Sequence, residues 1–107
     1  MDIKELTEKM HEFVSEKGWY DSQSSKQQSL RNLAISLNLE ASEVLEIFQW
    51  TETLKDKESL ASELADVSLY LLQLASIADI DLEKAILQKL AQNHTRIWEN
   101  DSKKDQA

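Results

Sequence analysis

Two acidic pairs of equal spacing, each set into an apolar stretch of helical period, constrain this chain more than any other feature. Glu40 and Glu43 lie within LRNLAISLNLEASEVLEIFQW, from Leu30 to Trp50; Glu63 and Asp66 open ELADVSLYLL. In an α-helix that interval puts both carboxylates of a pair on one face, about one turn apart. Leu37, Ala41, Val44, Leu45 and Phe48 surround the first pair, and Leu64, Ala65, Val67, Leu69 and Leu71 the second. Two helices of this kind, packed as antiparallel neighbours, would bring all four carboxylates together. Carboxylates crowded away from water repel one another and are costly to desolvate. A cation therefore belongs among them, and oxygen-only ligands suit a hard divalent ion, Mg²⁺ or Mn²⁺.

Composition supports the helical reading. The 107 residues contain no Pro and a single Gly, Gly18, which leaves few tight turns for a β architecture. The fold class expected is all-α: one domain built as a four-helix bundle, in residues 1–99, followed by a polar tail, 100–107. With no Cys, disulfides and thiolate metal sites are excluded and a reducing, cytoplasmic setting fits. No signal-like segment and no uninterrupted apolar stretch long enough to span a bilayer is expected. A net charge of -8 argues against binding a nucleic-acid polymer or an anionic membrane. It leaves room for a small phosphorylated ligand, because Mg²⁺ screens both partners.

The apolar period predicts a first helix over residues 2–17, with Ile3, Leu6, Met10, Phe13 and Val14 in one stripe and Gly18 as its terminator. His11 lies beside the stripe, where a lone His is ordinarily structural or solvent-facing. The polar segment from Trp19 to Lys26 reads as loop. Its leading aromatics, Trp19 and Tyr20, suit either a cap on the core edge or a stacking surface for a base. A second helix is expected from about Gln27 to Thr51, with Leu30, Leu33, Leu37, Val44 and Phe48 toward the core. Glu40, Glu43 and Glu46 form a row on it that Trp50 prolongs. Three glutamates in a row usually make a solvated face; Ile47 and Phe48 beside them weaken that reading here. After a charged connector, 52–58, a third helix over Ser59–Ala78 is apolar nearly all round. Its girth exceeds what a monomer of this length covers, so a subunit interface is expected. Asp79 or Asp81 caps a fourth helix that carries Leu82, Ala85, Ile86, Leu90 and Ile97. Lys89, Asn93 and Arg96 share a face of it, a pattern that ordinarily means a solvated cationic stripe.

Two functions from different classes fit these residues. One is a metal-dependent enzyme acting on a phosphorylated small molecule. The other is a non-catalytic helical interaction module whose acidic groups are surface charge. The first requires the acidic pairs to face each other inside the bundle, the second that they stay in solvent.

The strings EASEVLEIFQW and ELADVSLYLL, in this order, resemble the MazG-like all-α nucleoside triphosphate pyrophosphohydrolases, in particular their dCTP pyrophosphatase-like branch. The segment from His11 to Trp19, the pair Arg31–Asn32, and Lys89 with Asn93 add to the likeness, which extends over residues 5–98. Leu30 departs from it, standing where the family commonly has Pro. The resemblance implies cleavage of a nucleoside triphosphate between its α- and β-phosphates, dCTP first among substrates, in nucleotide-pool house-cleaning. It implies Mg²⁺ held by Glu40, Glu43, Glu63 and Asp66, with Glu46 orienting ligands or water. Lys89 and Asn93, assisted by Arg96, would meet the phosphates. Trp19 and Trp50 would lie at the base with His11 close by, and Tyr70 beside the sugar. A homodimer or homotetramer is implied as well.

Overall fold

The computed structural model describes residues 1–96, which form four helices: α1 (Ile3–Glu16), α2 (Leu30–Ile47), α3 (Lys57–Ile77) and α4 (Leu82–Thr95). No strand occurs among the described residues, in agreement with the all-α expectation. The core position expected at Ile97 and the tail at 100–107 lie outside the described residues.

Each helix starts on a side-chain cap. Asp2, Ser29, Asp56 and Asp81 accept hydrogen bonds from the backbone N–H of Glu5, Asn32, Ser59 and Lys84, respectively. Asp81, not Asp79, therefore begins α4. Asp79 has a different task at the end of α3. It takes a left-handed conformation, φ 57°, while Ile80 N–H donates to Ala75 O at 2.8 Å and Asp79 N–H to Ser76 O at 3.0 Å. The same two-bond closure ends α1: Gly18, φ 75°, donates to Ser15 O at 3.0 Å and Trp19 to Val14 O at 3.2 Å. Gly18 thus turns the chain so that Trp19 folds back along α1.

α2 is shorter at both ends than its apolar period suggests. Gln27 and Gln28 are spent on loop contacts and Ser29 supplies the cap, so the helix begins at Leu30. It stops at Ile47, and Phe48 to Trp50 form turns. The row of glutamates therefore does not continue helically to Trp50, which is 88% exposed.

α3 is the central element, packing most extensively on α2, then on α1, and more lightly on α4. At 21 residues it is long and apolar enough to cross a bilayer by length and composition, with Glu63 and Asp66 keeping the apolar stretch from being uninterrupted. The leucines outweigh its few charges on average, although Glu63 and Asp66 interrupt the apolar surface toward α2.

The core enclosed by the described chain is small. Met10, Val14, Leu33 and Ala75 are the buried apolar side chains among the described residues, joined by one polar residue, Gln73. Leu37, Val44 and Phe48 are half-buried, as a core-facing stripe at a packing edge would be, whereas Leu30 is exposed. Aliphatic residues stay in water on α2 (Leu39, Leu45), α3 (Leu64, Leu69, Leu71) and α4 (Ile86, Leu87, Leu90). α4 has no buried residue. Full burial of one such side chain is worth about 1.5–3 kcal/mol, so the single chain leaves much stabilisation unrealised.

Candidate active site

Glu40, Glu43 and Glu63 converge between α2 and α3, each offering a carboxylate oxygen within 4.8 Å of the others. The register is that of antiparallel helices: Glu43 meets Glu63, and Glu40 shares a cavity wall with Asp66. Asp66 adds its field to both Glu40 and Glu63. The two acidic pairs thus face each other, as the enzyme reading requires and the surface-module reading does not.

The electrostatics of the cluster are those of carboxylates crowded against one another. Glu40 is raised above the ordinary carboxylate value, first by burial and then by the hydrogen bond and charge of Glu43. Glu63 is pushed up to about 7, chiefly by its hydrogen bond with Glu43, with burial and the charges of Glu43, Asp66 and Glu40 following. The Oε2 atoms of both Glu40 and Glu63 are shut off from solvent without a hydrogen-bond partner. Orphaned carboxylate oxygens in mutual proximity fit a divalent metal ion, which would give each a partner and lift the repulsion. Glu46, one turn beyond Glu43, is exposed and stands outside this three-carboxylate group.

Beside the carboxylates lies a cavity of about 360 Å³. Glu40 and Asp66 form one part of its wall; Trp19, Phe13, Met10, Val14, Leu69 and Tyr70 make the apolar part, with Lys9, Gln28 and Gln73 also lining it. Trp19 is braced on two sides. Phe13 meets it edge-to-face at 5.7 Å, and the Lys26 ammonium lies 5.0 Å from its ring centre. A second cavity, about 400 Å³, shares Trp19, Gln28 and Tyr70 and is otherwise walled largely by amides and hydroxyls, among them Asn32 and Ser36. Trp19 and Tyr70 therefore stand where a ring system could meet them.

The remaining expected residues are placed apart from this cavity. His11 lies 2.6 Å from Tyr20 Oη through Nδ1 and 2.7 Å from Ser76 Oγ through Nε2, so both ring nitrogens are engaged within the chain. It lines a different cavity, near the starts of α1 and α4. Trp50 is in solvent. Lys89, Asn93 and Arg96 line none of these three cavities. Lys89 reaches Gln92 Oε1 at 3.5 Å, while Asn93 holds Oδ1 buried without a partner. Gln73 and Gln28, by contrast, were not singled out by spacing or charge. The signal for Gln73 was its position as one amide inside the apolar run YLLQLA.

Comparison with known proteins is consistent across sequence and structure. The MazG-like family model matches residues 35–107. The dCTP pyrophosphatase 1 proteins of Rattus norvegicus and Homo sapiens are each 32% identical over 94 residues, covering 79% of this chain and 52% of theirs. The chain thus spans about half the length of the curated relatives it matches. A solved pyrophosphatase from Archaeoglobus fulgidus superimposes with a TM-score of 0.72 at 35% identity, over 84% of this chain and 86% of that one.

Proposed function

The chain belongs to the MazG-like family, and from that premise we propose that it is a Mg²⁺-dependent nucleoside triphosphate pyrophosphohydrolase. It would release monophosphate and pyrophosphate from deoxynucleoside triphosphates, dCTP-like ones first, in nucleotide-pool house-cleaning in the cytoplasm. One observation carries the reading: a single cavity joins Glu40 and Asp66 to Trp19 and Tyr70. A triphosphate directed at the carboxylates leaves its sugar and base against those rings. The names of the similar proteins, dCTP pyrophosphatase 1 and a pyrophosphatase, support the same assignment.

The division of labour follows from the chemistry of each group. Glu40, Glu43, Glu63 and Asp66 would hold the cation. When bound, the ion neutralises phosphate oxygens and acidifies a water molecule. Without the ion Glu63 is pushed up to about 7, and a bound cation would return it to the ionised form that a ligand needs; one of the four carboxylates could also accept the water's proton. Glu46 is assigned to orienting ligands or water from the edge of the cluster. Tyr70 would pack on the sugar and disfavour a ribose hydroxyl, and Trp19 would stack on the base.

Lys89, Asn93 and Arg96 are proposed for the phosphates, and Trp50 for the base. These four require α4 and the α2–α3 connector to approach the nucleotide more closely than the single chain brings them. A homodimer or homotetramer supplies that approach, and the exposed aliphatic residues of α2, α3 and α4 support one. The deciding experiment is a panel of dNTPs and NTPs with Mg²⁺, scored for pyrophosphate. Orthophosphate as the sole product, or no turnover of any triphosphate, would reject the assignment.

A further inference from the structure

The loop from Trp19 to Ser29 carries Trp19, an aromatic residue of the cavity wall, yet it contains no regular element. Its first residue is fixed by the closure of α1, through Trp19 N–H to Val14 O. Its far end is held locally by Gln27 and by the Ser29 cap of α2, and is tied to α3 by a buried side chain. Gln73, 2% exposed, donates from Nε2 to Gln28 Oε1 at 2.8 Å and to Tyr20 Oη at 3.2 Å. Both amide hydrogens are therefore spent on the loop. Gln28 in turn donates from Nε2 to Lys26 O at 2.7 Å, which links the residue lying over Trp19 to the same amide, while Lys26 N–H donates to Ser24 Oγ at 3.0 Å.

The contacts continue from Tyr20 through His11 to α3. Tyr20 Oη already accepts from Gln73, and burial pushes its phenol up, against that hydrogen bond, so it keeps its proton. The phenol oxygen also lies 2.6 Å from His11 Nδ1, and His11 Nε2 lies 2.7 Å from Ser76 Oγ, so the ring bridges Tyr20 and α3 with either nitrogen protonated. His11 in this arrangement braces Tyr20 against α3. Asp66, Tyr70 and Gln73 follow at helical spacing and all line the cavity, so Gln73 references the loop to the same face of α3 that bears a carboxylate of the site.

We propose that Gln73 is a positioning residue that sets the distance between Trp19 and the acidic cluster, by tying Gln28 and Tyr20 to α3. For its kinetic consequence this rests on the nucleotide reading of the cavity. Gln73→Met keeps the length and bulk but removes both donors. With the wall loosened, substrate binding should suffer while chemistry at the carboxylates proceeds. KM for the preferred triphosphate should rise about tenfold, the scale of a lost buried hydrogen-bonded anchor, with kcat within about twofold of wild type. Independently of any nucleotide, trypsin should cut after Lys26 about tenfold faster than in wild type, because release of Gln28 frees that backbone.

An unchanged KM in an active enzyme, or a loss confined to kcat, overturns the proposal, as does an unchanged rate of cleavage at Lys26. If wild type turns over no triphosphate, the nucleotide reading fails, and the trypsin comparison alone judges Gln73. Should Gln73→Met not fold, Gln28→Met decides on the same two readouts. It keeps the length of the side chain and removes the amide that joins Gln73 to Lys26. A rise in KM with faster cleavage supports the tie, and no change in either overturns it.

Discussion

Glu43 on α2 and Glu63 on α3 face each other with carboxylate oxygens within 4.8 Å, and their shared hydrogen bond holds Glu63 up near 7. The relationship makes the site a source of instability in the metal-free protein. Between the ordinary value of 4.5 and about 7, the folded chain binds more protons at Glu63 than the unfolded chain does. Stability therefore falls as pH rises through that window. Glu40, raised chiefly by burial, contributes with the same sign. Asp56, held low by its hydrogen bonds with Ser59, acts below this window and does not offset it. With EDTA present, Tm should decline from about pH 5 to about pH 7.5. Glu63→Gln should flatten that decline and melt above wild type at the upper end. A metal-free Glu63→Gln protein that melts lower there would show that the repulsion is relieved by other groups.

On the proposed function, the same pair should govern metal binding. A ligand confined to the folded state stabilises it by RT ln(1 + [L]/Kd), about 2.7 kcal/mol at a hundredfold excess over Kd. Wild type should therefore gain several degrees from Mg²⁺, and Glu43→Gln and Glu63→Gln less. Glu43→Gln should also lose turnover by orders of magnitude, since charge stabilisation at the phosphates is lost with the ligand. Near-normal turnover of Glu43→Gln at saturating Mg²⁺ removes Glu43 from the ligand set.

The helices and the acidic pairing were legible because both depend on periodicity. Equal spacing of Glu40–Glu43 and Glu63–Asp66 on apolar helices leaves one economical arrangement, and the chain adopts its register. Helix ends were harder to read, because side chains outside the period decide them. Gln27 and Gln28 look helical by composition but are consumed by the loop, and Asp79, which reads as a cap, serves as a left-handed terminator. The partners of His11 were not legible at all. Tyr20 lies nine residues and Ser76 sixty-five residues away, and no local pattern links them. Gln73 was visible only as a polar interruption, whose meaning depends on what faces it.

The two tryptophans assigned to the base should behave differently. Trp19→Ala removes a wall of the cavity and should weaken nucleotide binding by about 1–3 kcal/mol, the range for base–aromatic stacking. Trp50, 88% exposed, has no such wall to lose within one chain. A comparable loss in Trp50→Ala therefore tests whether assembly or the nucleotide itself brings a base to it. Tyr70→Ala should mainly narrow the difference between dCTP and CTP. Binding isotherms for both nucleotides check all three variants, and wild-type affinity in both tryptophan variants would put the base elsewhere.

Assembly is the last consequence of the packing. Leu45 is 72% exposed on α2, and Leu64, Leu71 and Leu87 are also in water. A subunit contact over these helices would recover about 1.5–3 kcal/mol for each large aliphatic side chain fully buried. Leu45→Glu places a charge on the exposed α2 surface without disturbing the buried residues Met10, Val14, Leu33 and Ala75. Wild type should sediment as a dimer or tetramer at micromolar concentration, and Leu45→Glu as a smaller species with its helical circular dichroism retained. Turnover should fall along with the assembly if Lys89, Asn93, Arg96 and Trp50 reach the nucleotide through it, as proposed. A wild-type chain that sediments as a monomer, yet cleaves triphosphates at full rate, would show that those four residues either reach the nucleotide within one chain or take no part.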